Sequence, residues 1–130
     1  MNTTMPVSGR KVNTVIVLPF IYSHYGNVNL LTLLKKGFNN SPEYLKAVAL
    51  DNSHFTEPLL SEESYNLIEK YTTQDNDLMT KDSLESFGRR AEGGEGKQVF
   101  YFALEKYNSK WLDSIAKVQA KMYLKNGPER

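Results

Sequence analysis

Residues 98–122 read QVFYFALEKYNSKWLDSIAKVQAKM. Phe100, Leu104, Tyr107, Trp111, Ile115, Val118 and Met122 step through this stretch by four, three, four, four, three and four residues. That spacing lines one face of an α-helix. Asn126-Gly127-Pro128 supplies the punctuation that ends one. The spacing predicts a single helix over 98–125, about 40 Å long at the rise of an α-helix, with the stripe packed into the chain's own core. Val99-Phe100-Tyr101-Phe102 is apolar on both faces, so periodicity does not separate helix from strand there. The competing reading is α+β: residues 98–104 form a strand paired with 12–18, and a helix begins after Asn108-Ser109. The four-residue steps at 107, 111 and 115 also resemble a stutter in a heptad pattern, which suits packing against a partner helix.

Upstream, the signals are mostly helical as well. Asn29 is placed to cap Leu30 to Lys36, with Gly37 just past the end and Lys35 and Lys36 at the negative end of the dipole. Ser41-Pro42-Glu43 is a strong start: a cap residue, a proline in the first turn, then an acid. Ser61-Glu62-Glu63 opens another helix, with Leu60 and Tyr65 at hydrophobic-staple spacing. Thr72 to Asn76 reads as polar linker, and Asp82-Ser83-Leu84-Glu85 as a capping box opening a short helix. The one β-like segment is residues 12–22, β-branched through Val17 and limited by Pro19. The expected fold is mainly α, four to five helices with a long amphipathic C-terminal helix and that one N-terminal β-like segment. Residues 1–11 read as a flexible arm, and 12–130 as one small domain carrying a mobile glycine-rich loop at 88–97.

The chain has 130 residues and no cysteine, which removes disulfides, thiol catalysis and cysteine-held metals. Ala91-Glu92-Gly93-Gly94-Glu95-Gly96-Lys97-Gln98 is a damaged phosphate-loop pattern. Ala91 stands where the first glycine belongs and Gln98 where the magnesium ligand belongs, and two glutamates would repel phosphate. His24 and His54, the two histidines, have no metal-ligand spacing. Asp51-Asn52-Ser53-His54 lacks the rigid convergence a nucleophilic triad needs, so Asp51 and Ser53 read as turn-forming residues. Glu62-Glu63 sits where the helix dipole favours acids. The helices at 42–51 and 61–73 are too far apart for a helix-turn-helix. No catalytic residue, metal site or cofactor is expected.

The formal net charge of +1 is a cancellation of segments. Residues 1–40 carry four bases and no acid, residues 41–88 three bases and ten acids, and residues 89–130 nine bases and five acids. On a single C-terminal helix, Lys106, Lys110, Lys117 and Lys121 fall within about 60° of one another, and Arg89, Arg90 and Lys97 could extend the patch. The primary reading is a non-enzymatic interaction protein, an accessory, regulatory or assembly subunit. It meets a protein partner or a second copy through the aromatic-rich C-terminal helix and the N-terminal segment. The alternative is a nucleic-acid-binding protein that uses the lysine row. No apolar stretch reaches membrane-spanning length, and no small-residue cleavage site follows Tyr22, so a cytoplasmic chain is expected. Abundant lysine, asparagine and tyrosine suit an A/T-rich bacterial or bacteriophage gene.

Overall fold

The structure, a computed structural model, describes residues 14–85 and 96–126, with side chains for 19–85 and 96–125. The arm at 1–11 and residues 88–95 of the expected loop lie outside the described residues. Five helices are described: α1 (Thr14–Gly37), α2 (Pro42–Leu50), α3 (Glu62–Glu85), α4 (Val99–Tyr107) and α5 (Lys110–Asn126). There is no strand among the described residues, so the fold is mainly α and the pairing of 12–18 with 98–104 does not form.

The expected β-like segment is helical from Thr14, through Pro19. β-branched residues cost a helix only tenths of a kcal/mol each, too little to keep α1 from extending back to Thr14. The burial is regular: Ile21, Tyr25, Asn29, Leu33 and Gly37 are all enclosed, one every four residues. Asn29 is therefore inside the helix rather than its cap. A row of period four winds about 40° around the helix axis at each step. The same row thus meets different neighbours along α1. Ile21 and Tyr25 share a core cluster with Leu60, with Ile68 of α3 and with Leu112, Ala116 and Ala120 of α5. Leu33 shares a second cluster with Met79 of α3 and with Val99 and Ala103 of α4.

The expected continuous C-terminal helix is interrupted. α4 ends at Tyr107, and Ser109 reverses roles at the break. Its hydroxyl donates to the Lys106 carbonyl at 2.7 Å and accepts the Leu112 N–H at 3.1 Å, closing one helix and capping the next. Conversely, α3 runs unbroken through the segment read as linker, and Asp82 to Glu85 are its last turn rather than a new start. Thr72 is buried there because its hydroxyl donates to the Ile68 carbonyl at 2.6 Å, so the side chain needs no water. The Ser41 and Ser61 starts hold: their hydroxyls accept the N–H of Tyr44 at 3.3 Å and of Ser64 at 3.1 Å. The staple holds too, with Leu60 buried and Tyr65 against the same cluster.

Gly37 is not the left-handed stop of α1. Asn39 and Asn40 take that conformation, at φ 57° and 56°, and the Asn40 N–H returns to the Lys35 carbonyl at 2.8 Å. Gly37 instead permits close approach: a Cβ there would lie 2.6 Å from Val99 Cγ1 and 3.3 Å from Met79 Cε. Gly37→Ala is expected to destabilise the chain by about 1–3 kcal/mol despite the better helix former, because overpacking outweighs propensity here. Urea unfolding of Gly37→Ala in the parent and in a Val99→Ala background checks this. The second background should recover most of the loss, and equal losses in both would contradict the steric cause.

Candidate interaction surface

The face of α4 and α5 turned toward α1 is built from small residues. Val99, Ala103, Leu112, Ala116 and Ala120 are buried, each of the last four no more than 2% exposed. Alanines let helix axes approach closely, and the space beside them fills with α1 side chains such as Tyr25 and Leu33. This overturns the expectation that the aromatic stripe is core. Phe100 is 63% exposed, Leu104 51%, Tyr107 42%, Trp111 40% and Val118 54%. Only Ile115 and Met122 of the stripe are half-buried.

The exposed rings are held by edge contacts, so they are not loose on the surface. Phe100 meets Phe38 edge-on at 5.3 Å between ring centroids, and Trp111 meets Tyr71 of α3 at 4.8 Å. The Tyr107 hydroxyl donates to Asn27 Oδ1 at 3.0 Å, and its ring lies over Gly26. Exposed leucines of α3, Leu78 and Leu84, add apolar area. The rings are thus ordered in advance, which lowers the entropy cost of burying them against a partner.

The expected row of four lysines loses one member, while Lys110, Lys117 and Lys121 keep helical spacing on one face of α5. The break at 108–109 puts Lys106 on α4 and Lys110, Lys117 and Lys121 on α5. Lys106 turns to α3: its Nζ is 3.6 Å from Asp75 Oδ1 and 4.2 Å above the Trp111 ring. Lys117 pairs with Asp113 at 3.0 Å and lies over the Tyr22 ring, while the Tyr22 hydroxyl donates to Asp113. Lys97 donates to Asn39 Oδ1 at 3.0 Å and Asn76 Oδ1 at 3.1 Å, joining the ends of α1 and α4 to α3. Burial pushes its ammonium below the usual lysine range. Lys110 and Lys121 are exposed and without a hydrogen-bond or ion-pair partner among the described residues. Arg89 and Arg90 lie outside the described residues.

The residues that sequence reasoning missed are on α3. Tyr71, Asp75 and Leu78 flank Trp111 and Lys106, but they fell in or beside the supposed linker. Asp75 carries a buried and unpaired Oδ2. Burial raises its carboxyl above the usual range, and Lys106 offsets this in part. The chain matches no family model, and no curated protein or solved structure is measurably similar to it.

Two outcomes follow from this packing. Val118→Lys should change stability by under about 0.5 kcal/mol, Phe100→Ser should cost about 0.5–1.5 kcal/mol through the lost edge contact with Phe38, and Ala120→Leu should cost about 1–3 kcal/mol; thermal unfolding of the three variants compares them. Asp75, with its folded pKa raised above the unfolded value of 3.8, withdraws stability as pH rises through that window. Asp75→Asn should therefore gain on the parent as pH rises above about 4, and level off once the carboxyl is ionised in both folded and unfolded chains. Urea midpoints of both proteins across that range report it, and parallel curves would contradict it.

Proposed function

We propose that this protein is a non-enzymatic interaction subunit that docks through the exposed flank of α4 and α5, with the N-terminal end of α1 as a second contact. The observation that carries the reading is the inversion on α4 and α5, with alanines inside and Phe100, Leu104, Trp111 and Val118 outside. A monomer gains nothing from presenting an ordered aromatic and aliphatic stripe to water, and such surfaces mark association sites.

A second copy is the first partner to test. α3 carries seven carboxylates against two lysines; it exposes Glu62 and Glu63 at its start, and Asp77 and Glu85 near the exposed Leu78 and Leu84 at its end. α5 carries four lysines against one aspartate. The two helices of one chain lie side by side where Tyr71 meets Trp111, so a two-fold pairing would set each acidic helix against a basic one. The nucleic-acid alternative draws less from the geometry, since Lys106 and Lys117 are already engaged within the chain.

Sedimentation velocity across a wide concentration range tests the self-association. The parent should shift from monomer to dimer, Leu104→Glu and Val118→Glu should remain monomeric, and rising salt should weaken the parent. A parent that stays monomeric at the highest concentration and captures no protein through this flank, judged against the same two variants, would overturn the reading.

A further inference from the structure

A cleft of about 430 Å³ lies between the N-terminal half of α1 and the loop that follows α2. Phe20, Ser23, His24 and Asn27 form one wall, and Ser53, His54, Phe55 and Glu57 the other. The two histidines, 30 positions apart in sequence, meet here.

The loop wall is held in place by specific bonds. The Asp51 carboxylate accepts the Ser53 N–H at 2.9 Å and the Ser53 hydroxyl at 3.0 Å. The Glu57 carbonyl is the anchor point: it accepts the Leu59 N–H at 2.9 Å and, from across the cleft, His24 Nε2 at 2.9 Å. A carbonyl only accepts, so His24 Nε2 carries a hydrogen. His54 sits at φ 66°, a backbone conformation that favours glycine, yet it keeps a side chain whose Nδ1 lies 2.9 Å from Glu57 Oε2.

The cleft holds more hydrogen-bonding capacity than the protein uses. Asn27 spends Oδ1 on Tyr107, which leaves its amide N–H groups. The Ser23 hydroxyl has no partner among the described residues. His54 spends Nδ1 on Glu57, which leaves Nε2. Two aromatic rings complete the lining, with Phe20 half-exposed and stacked nearly parallel to the His24 ring at 6.0 Å. Among the described residues, the lining holds no lysine or arginine to attract an anion, and its one carboxylate, Glu57, is already met by His54 Nδ1 at 2.9 Å. The volume falls in the range of small-molecule sites, roughly 300–1,000 Å³.

We propose that this cleft binds a neutral, planar aromatic molecule of one or two rings that carries a hydrogen-bond acceptor. Its ring lies between Phe20 and Phe55, and its acceptor takes the Asn27 amide and the Ser23 hydroxyl. The cleft adjoins the α1 end proposed as a second contact and reaches the flank through the Asn27–Tyr107 bond, but ligand binding there needs no second copy of the chain.

The test is an amide NMR titration of the full chain with benzamide, quinoline and adenosine, each neutral and each carrying a ring or amide acceptor. At least one probe should move the Ser23, Asn27, Ser53, His54 and Phe55 signals saturably, with a Kd at or below about 1 mM. Ser23→Leu, at an exposed helical position, should fill the cleft and weaken that binding tenfold or more without lowering Tm. His54→Gly removes one lining side chain at a positive φ that glycine adopts freely, and should weaken binding at least threefold while the spectrum stays folded. No saturable shift with any of the three probes would overturn the proposal. So would shifts that persist unchanged in folded Ser23→Leu.

Discussion

The structure depends on how closely the four-residue row of α1 meets three other helices. Gly37 has no room for a methyl group against Val99 and Met79, and Ala103, Ala116 and Ala120 put small side chains against α1. Where axes approach this closely, large side chains are needed on one side only. α1 supplies Tyr25 and Leu33, α3 supplies Ile68 and Met79, and the C-terminal helices give way. Close packing of this kind is intolerant of added volume, because interiors are filled to crystal-like density.

The winding of that row explains the division of the C-terminal segment. One straight helix cannot follow a row that turns by about 40° at every step. The chain bends at Asn108-Ser109 instead, so that α4 meets the C-terminal half of α1 and α5 the N-terminal half. The serine that makes the bend satisfies both ends of the break, so little hydrogen bonding is lost. The polar contacts between α3 and the C-terminal helices work in the same way. Ser64 donates to Gln119 at 2.6 Å inside the core, and Lys106 meets Asp75 and Trp111 at its edge. These bonds hold α3 beside α4 and α5 where few large side chains interlock, and they fix the rings that the flank exposes.

The sequence by itself determined the helical class, the starts at Ser41 and Ser61, the Leu60–Tyr65 staple and the Asp51–Ser53 turn. Each of these is a local signal: a cap, a staple or an Asx turn acts over two to five residues and needs no distant partner. It also marked helix on either side of Asn108-Ser109, although the stripe from Phe100 to Met122 predicts one unbroken helix there. Only the tertiary structure decided which side of that stripe faces inward. Hydrophobic strength favoured the aromatic residues, whereas geometry favoured Ala103, Ala116 and Ala120, because α1 already fills the space. The same dependence on distant neighbours made Thr72 a core residue rather than a linker, turned 14–22 into helix, drew Lys106 out of a surface row, and set His24 beside a loop more than thirty residues away. Local pattern records what a segment prefers, and close approach between segments settles what it is allowed.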